Sequence, residues 1–313
     1  MAEPILVARD ITVAFGDARR PAVAGANLEI RAGDAIGIVG ESGSGKTTLA
    51  RVLVGALPPN SGSVEVLGRS WAGVGHSDPI RRKVQMIFQD PYASLNPRMT
   101  ARETVSEVLQ IWNGWSRHEA REQAGQRLAE VGIVGPAVDR RPARLSGGQC
   151  QRVGSARALA CDPEILIADE PTSSLDVSVQ ANILNMLVEF RESRGLALVF
   201  ISHDLSVVRY ITSRAFVMYR GRVIECGATS RLLSEPSHPY TLCLIDSIPG
   251  SGGAPQIARN DLRSDRGCVF AARCSSIGDR CAELEPELAE IGIGHTVACH
   301  HPLTIQHGTE GLR

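Results

Sequence analysis

Several features that mark other classes of protein are missing from this sequence. No window approaches about 18 uninterrupted apolar residues, so we do not expect the chain to cross a membrane by itself. Residues 1–5 do not combine a basic segment with an apolar run, so we expect no secretory signal and place the chain in the cytoplasm. The net charge is only −1, which gives no indication of nucleic-acid binding.

The composition is that of a soluble globular protein. Hydrophobic residues make up 43% and charged residues 21% of the 313 residues, a length that suits one domain of about 250 residues with an appendage. The eight cysteines are expected to be thiols or metal ligands rather than disulfides, because the cytoplasm is reducing.

A phosphate-binding pattern is the most informative stretch. Residues 40–47 read GESGSGKT and fit G-x-x-x-x-G-K-[ST], with an apolar strand predicted at 35–39 and a helix starting near Gly45. The glycines let the backbone point N–H groups at an anion, the helix adds its positive end, and Lys46 adds a charge for the β- and γ-phosphates. Thr47 is expected to contact Mg²⁺ and Thr48 the α-phosphate. The predicted nucleotide-binding residues here are Gly40, Ser42, Gly43, Ser44, Gly45, Lys46, Thr47 and Thr48.

Further polar residues directly follow other apolar segments. Gln89 follows residues 83–88, the pair Asp169 and Glu170 follows 165–168, and His203 comes just after 196–201. Strands that alternate with helices predict an α/β fold with a doubly wound sheet, whose ligands gather at the carboxyl ends of its strands. We therefore expect these residues to converge with Lys46 in one crevice.

This set suits magnesium-dependent phosphoryl transfer. Asp169 is the predicted Mg²⁺ contact, and Glu170 is placed to orient or deprotonate water. His203 is predicted to hydrogen-bond the γ-phosphate and hold Glu170, and Gln89 to reach both Mg²⁺ and the attacking water. Phe15 has two interpretations, a platform for the adenine or a core residue.

The remaining segments suggest how the chain is organised. Residues 5–7, 11–15 and 26–30 predict strands of an antiparallel sheet, and 101–132 a helical region interrupted at Asn113-Gly114. Residues 214–219 and 222–226 predict a hairpin, and 248–253 a linker. We thus expect an ATPase-type domain at 1–247, with a helical subdomain at about 90–160, and a linker with a cysteine-rich tail at 248–313.

The stretch LSGGQ at 145–149 resembles the signature of ATP-binding cassette (ABC) ATPases. Residues 40–47, Gln89, 165–170, 173–176 and His203 match the cassette order throughout. The resemblance implies a P-loop NTPase with a RecA-like sheet, an antiparallel β subdomain and a helical subdomain. It also implies a head-to-tail dimer in which Ser146 and Gly148 cap ATP bound by the partner subunit, and it adds Asp176 to the nucleotide-site residues.

A narrower resemblance rests on residues 89–98, 169–180 and 238–241, which look like the peptide/nickel importer subfamily; residues 45–51 resemble its second ATPase subunit. It implies ATP hydrolysis that powers peptide uptake through two membrane permease subunits and an extracytoplasmic solute-binding protein. The chain would lie on the cytoplasmic face of the inner membrane, with the segment after Gln89 meeting a permease helix. A nickel or other small-solute importer and a soluble cassette ATPase of translation or DNA repair are the alternatives.

Two residues depart from the family pattern. Cys150 stands where a polar or basic residue is usual, and Ser174 replaces a usual Ala. Neither removes a nucleotide ligand, so we expect activity to survive. An exposed Cys150 thiol would make the activity sensitive to oxidation.

Four cysteines lie in the tail at a spacing of C-x₅-C-x₆-C-x₁₇-C: Cys268, Cys274, Cys281 and Cys299. By spacing alone this is a weak metal signal. The tail also resembles the C-terminal extension of peptide-importer ATPases, which is associated with a four-cysteine [4Fe-4S] cluster. An iron-sulfur cluster, a zinc ion and unligated thiols remain the three interpretations, and a bound metal is expected to play a structural role.

Overall fold

The phosphate-binding pattern follows an interior strand of an eight-stranded sheet. The computed structural model describes residues 3–16, 20–173, 175–248 and 266–303. Its strands are β1 (Pro4–Val13), β2 (Val23–Arg31), β3 (Ala35–Val39), β4 (Ser61–Val66), β5 (Arg69–Ser70), β6 (Val84–Ile87), β7 (Ile165–Asp169), β8 (Ala197–Ser202), β9 (Arg214–Tyr219), β10 (Arg222–Ala228), β11 (Ala289–Gly292) and β12 (His295–Val297). The helices are α1 (Lys46–Leu53), α2 (Ala101–Asn113), α3 (Arg117–Glu130), α4 (Gly147–Leu159), α5 (Val177–Arg194), α6 (Leu205–Ile211), α7 (Thr229–Ser234), α8 (Pro239–Asp246) and α9 (Arg280–Glu283).

The large sheet has the order β11-β12-β10-β9-β3-β8-β7-β6. Its strands β6, β7, β8, β3 and β9 pair in parallel, and β9, β10, β12 and β11 continue in antiparallel pairs. Every residue of β3, β7 and β8 is buried, as expected for strands that are covered on both faces. The predicted α/β architecture is therefore confirmed, and the loops after β3, β6, β7 and β8 open at one edge.

A second sheet, of order β2-β1-β4-β5, forms the antiparallel subdomain. The prediction of separate strands at 5–7 and 11–15 is wrong, because β1 runs without interruption from Pro4 to Val13. Its pairing with β2 shifts register between Ala8 and Ile11, where Asp10 has φ 50°. A bulge of this kind absorbs an extra residue without ending the strand. Phe15 lies beyond the end of β1.

Helices α2 and α3 lie within the helical region that the sequence predicts at 101–132. Thr100 caps α2 with a reciprocal bond to Glu103, and Ser116 caps α3 in the same way with Glu119. Gly114 ends α2 in the left-handed conformation that glycine adopts without strain. Buried side chains of α2, α3 and α4 pack together in the main core.

Two short helices, α6 and α9, were not predicted. Helix α6 begins directly after His203, and the Asp204 carboxylate accepts a hydrogen bond from the Ser206 backbone N–H at 2.8 Å. Its seven residues are too few for a clear helical period, so the cap is the feature that marks it.

The cysteine-rich tail packs on the cassette. Strand β12 pairs with β10, and Phe270 and Cys274 are buried in the main core. Two buried side chains also meet at this contact: His295 Nε2 of the tail lies within hydrogen-bond distance of Glu225 Oε1 of β10, at 2.9 Å. The predicted linker at 248–253 lies, apart from residue 248, outside the described residues, so the boundary at 247 stays a prediction.

In the described ranges, no helix is both long enough and apolar enough to span a bilayer.

Candidate active site

The phosphate loop connects β3 to α1 through glycines that allow no side chain. Gly45 has φ 103°, and a Cβ placed on it would lie 2.1 Å from the Ala22 carbonyl oxygen. No side chain caps the N-terminus of α1, so its N–H groups stay available to an anion. The Ser44 hydroxyl is buried and has no hydrogen-bond partner within the described part of the chain. These groups fit the phosphates of a nucleotide.

Lys46 is folded back into this loop. Its Nζ donates to the carbonyl oxygens of Gly40 at 2.8 Å and of Glu41 at 2.9 Å, and lies 3.9 Å from Glu170 Oε1. Burial lowers the pKa of Lys46, while the nearby charges of Glu170, Asp169 and Glu41 raise it. The ammonium group is therefore held by the carbonyl oxygens of the loop itself.

Thr47 and Asp169 meet at the carboxyl end of the sheet. The Thr47 hydroxyl donates to Asp169 Oδ1 at 3.2 Å, and burial raises the pKa of Asp169. A hard cation beside this carboxylate would offset the cost of its burial. Among the described residues, no three His, Cys, Asp or Glu side chains are placed to hold a metal ion. A magnesium ion needs fewer protein ligands, since it retains water and phosphate oxygens.

Glu170 is held in place from two sides. Gln89 Nε2 donates to Glu170 Oε2 at 3.0 Å, and His203 Nδ1 lies 3.3 Å from the same oxygen. Glu170 has φ 43°, an unusual conformation for a residue with a side chain. The structure thus brings together Lys46, Gln89, Glu170 and His203, as the sequence predicts. A carboxylate fixed beside a phosphate loop can accept a proton from water.

The signature opens helix α4. Ser146 caps this helix through Gln149 and is exposed, while a Cβ on Gly148 would lie 2.6 Å from Val179. The Tyr92 hydroxyl donates to the Leu145 carbonyl oxygen at 3.2 Å. The segment that follows Gln89 is therefore in contact with the signature.

Other predicted residues differ in their surroundings. The Phe15 side chain is 53% exposed, so the interpretation of Phe15 as a core residue is wrong and adenine stacking remains the prediction. Ser42 and Gly43 are exposed on the loop, Thr48 is half-buried on α1, and Asp176 is exposed at the start of α5. Ser174 lies outside the described residues.

Sequence reasoning missed two partners of the phosphate loop. The Tyr240 hydroxyl accepts a hydrogen bond from the Glu41 backbone N–H at 2.8 Å, and Arg273 binds the Glu41 carboxylate. Tyr240 belongs to residues 238–241, which resemble the peptide/nickel importer subfamily but for which the sequence predicts no role at the phosphate loop. No local pattern links Arg273 to a loop 232 residues away.

Cys150 is buried in α4, and burial raises its pKa to about 11. Oxidation sensitivity is expected only of an exposed thiol, so the burial of Cys150 gives no reason to expect it here.

The four tail cysteines lie near one another. Burial raises the pKa of Cys299 to about 11, and the nearby thiols of Cys268, Cys274 and Cys281 add to the shift. Burial also raises the pKa values of Cys268 and Cys274, while backbone N–H groups that donate to their sulfurs lower them. The four thiols thus lie near one another, but among the described residues they do not form a group that is placed to hold a metal ion.

Two family models match the chain. Residues 23–173 match the model described as "ABC transporter", and residues 224–281 match "Oligopeptide/dipeptide transporter, C-terminal region". The first match covers the phosphate loop, the signature and Glu170. The second begins in β10 and ends at Cys281.

Relatives and solved structures agree with these matches. The chain is 41% identical to the oligopeptide transport ATP-binding protein OppF of Escherichia coli over 291 residues, 89% of this chain and 87% of the relative. It is 40% identical over 317 residues to the di/tripeptide transport ATP-binding protein DppF of Pseudomonas aeruginosa, covering 96% of this chain and 98% of the relative. Its fold is similar to the dimeric ATP-binding cassette MJ0796 in a post-hydrolysis state bound to ADP and Pi, with a TM-score of 0.66 and 30% identity over 72% of this chain and 98% of that chain. The chain therefore belongs to the ABC transporter family of ATPases, in the branch that carries the oligopeptide/dipeptide transporter C-terminal region.

Proposed function

We propose that this chain is the ATP-hydrolysing subunit that powers peptide uptake through partner permeases at the cytoplasmic face of the membrane. The observation that carries the proposal is the similarity of this chain to two transport ATP-binding proteins. Over nearly its whole length, the chain is 40% identical to a relative named for di/tripeptide transport and 41% identical to one named for oligopeptide transport. The match of residues 224–281 to the transporter C-terminal region supports the same branch.

Hydrolysis takes place beside the phosphate loop. When bound, Mg²⁺ neutralises phosphate charge, with Thr47, Asp169 and Gln89 as its protein contacts. Lys46 leaves its loop carbonyls and pairs with the β- and γ-phosphates. Glu170 accepts a proton from the attacking water. The side-chain amide of Gln89 donates to Glu170 Oε2 and so fixes the carboxylate. His203 holds the same oxygen and reaches the γ-phosphate.

The site is completed by a second cassette subunit. Ser146 is exposed, and Ser146 and Gly148 sit at the N-terminus of a helix of 13 residues, where N–H groups and the helix dipole favour an anion. In a head-to-tail dimer these groups cap the γ-phosphate of ATP held by the partner. The dimeric state of the similar cassette MJ0796 supports this arrangement.

A permease helix docks next to the site. A cavity of about 730 Å³ lies between the sheet and the helical subdomain, and its lining includes Arg51, Phe88, Gln89, Ser94 and Arg157. Phe88 is exposed at its rim, and so is Tyr92 on the adjacent segment. Because the Tyr92 hydroxyl also donates to the signature backbone, a movement of the docked helix displaces both Gln89 and the signature.

Uptake assays test the transported solute. Cells that contain this chain with its permeases are expected to accumulate labelled dipeptides and oligopeptides, and cells with Glu170→Gln are not. Accumulation of nickel without peptides would favour the nickel alternative. Copurification with ribosomes or DNA instead of permeases would favour a soluble cassette ATPase.

We also propose that the four tail cysteines hold an iron-sulfur cluster, with zinc as the alternative. The proposal is supported by the proximity of the four thiols, with the Cys268 backbone N–H donating to the Cys281 carbonyl oxygen at 2.9 Å, and by the backbone N–H groups that donate to the sulfurs of Cys268, Cys274 and Cys299. Anaerobically purified protein should contain iron and sulfide, and Cys268→Ser should lose both while Cys161→Ala retains them. Absence of both iron and zinc would refute a metal site.

A further inference from the structure

The Arg273 side chain of the cysteine-rich tail contacts the phosphate loop. Arg273 lies between Cys268 and Cys274, and its Nη1 and Nη2 donate to the two carboxylate oxygens of Glu41, each at 2.8 Å. This paired geometry is the strongest form of ion pair between arginine and a carboxylate. Glu41 directly follows the first glycine of the phosphate loop and is the only acidic residue in residues 40–47.

Aromatic side chains fix the position of the guanidinium group. Its carbon lies 5.7 Å from the centre of the Tyr219 ring and 5.8 Å from that of Phe270, and Nη1 also donates to the Tyr219 hydroxyl at 3.3 Å. The Tyr240 ring packs against both rings, and its hydroxyl accepts the Glu41 N–H. Both the backbone and the side chain of Glu41 are thus held by residues from outside the loop.

The charge of Glu41 matters because the ligand is an anion. The hydrogen bond from Arg273 is the largest of the causes that lower the pKa of Glu41, which burial opposes, and Arg220 and Lys46 add smaller downward effects. The carboxylate therefore stays ionised, close enough to Lys46 for each to affect the pKa of the other. Without Arg273, this negative charge would act against the phosphates that Lys46 attracts.

We propose that Arg273 is a positioning residue of the ATP site, which neutralises and orients Glu41 so that the tail sets the affinity of the phosphate loop for ATP. The Arg273 guanidinium donates to Glu41 and Tyr219 rather than to Glu170 or the residues that hold it. Its effect therefore belongs to nucleotide binding rather than to the hydrolytic step.

Steady-state ATPase kinetics of the purified full-length chain test this proposal. Arg273→Met should raise the KM for ATP about 3- to 10-fold with kcat nearly unchanged, since the pair is partly exposed and Arg220 still acts on Glu41. Arg273→Lys keeps the positive charge but cannot donate to both carboxylate oxygens of Glu41 in the paired geometry. Its KM should therefore lie between those of the wild type and Arg273→Met. Adding Glu41→Gln to Arg273→Met should return KM to within about twofold of the wild-type value, because no carboxylate is left to neutralise.

A matched control separates this role from general loosening of the tail. Glu285→Gln breaks another ion pair between tail and cassette, to Arg222, and should leave KM unchanged. Three results would each overturn the proposal: an unchanged KM in Arg273→Met, no recovery in the double variant, or an equal rise of KM in Glu285→Gln. Thermal unfolding of each variant shows whether it is folded, and direct titration with a fluorescent ATP analogue gives the affinity of any variant whose turnover is lost.

Discussion

Replacing Glu170 with glutamine removes a proton acceptor and a negative charge while keeping the size of the side chain. Glutamine still offers an oxygen to Gln89 Nε2, which lies 3.0 Å from the native carboxylate, so the local fold should persist. What it cannot do is take a proton from water. The variant thus isolates the general-base step from nucleotide binding.

The expected loss is large in turnover and small in affinity. A positioned general base contributes about 10² to 10⁴ in rate, so hydrolysis should fall at least about 100-fold, equivalent to about 2.7 kcal/mol in the barrier. The charge that is lost lies 3.9 Å from Lys46 Nζ and faces the phosphate site. Its removal lessens repulsion of ATP, so binding should be retained or tightened and the closed dimer should accumulate.

Phosphate release and light scattering after gel filtration measure the two effects. With ATP and Mg²⁺, Glu170→Gln should elute as a dimer and release almost no phosphate, while Glu192→Gln, an exposed carboxylate on α5, should behave as wild type. Turnover at the wild-type rate in Glu170→Gln would refute the role of Glu170 as general base.

Three further predictions concern the tail and the core. Phe270→Ala should lower the free energy of unfolding by about 3 kcal/mol in urea titrations, because it empties a fully buried site; a change within error would mean that the tail does not pack there. Burial lowers the pKa of His238 to about 3, so the unfolded chain binds the extra proton below about pH 6.5 and stability should fall as the pH decreases from there. His238→Asn, which keeps a cap acceptor for α8, should show a shallower pH dependence, and an equal slope would contradict this. Cys150 should resist maleimide in the folded protein and react after unfolding.

The parts of this protein that the sequence predicts are those formed by residues close together in the chain. The phosphate loop has fixed glycine positions, and each buried parallel strand is a short apolar run with a polar residue after it, so the meeting of Lys46, Gln89, Glu170 and His203 follows from the topology of a parallel sheet. Capping boxes at Thr100 and Ser116 also mark two helices of the helical subdomain.

The missed features depend on contacts between distant segments. The pairing of β12 with β10 and the ion pair between Arg273 and Glu41 join residues that are far apart in sequence, and no periodicity encodes them. The burial of Cys150 is likewise set by packing in the helical subdomain rather than by its neighbours in the chain. The bulge at Asp10 made one strand look like two, because it shifts the alternation of apolar residues.

Peptide uptake and ATP hydrolysis measured together give the most direct test of the proposed function. Vesicles that contain the permeases, this chain and its cassette partner are supplied with ATP on the side of the cassettes, and labelled peptide with the binding protein on the other. Peptide should accumulate in proportion to phosphate released, and both should stop with Glu170→Gln. Steady phosphate release without any peptide uptake, in vesicles that retain all subunits, would contradict peptide import as the function of this ATPase.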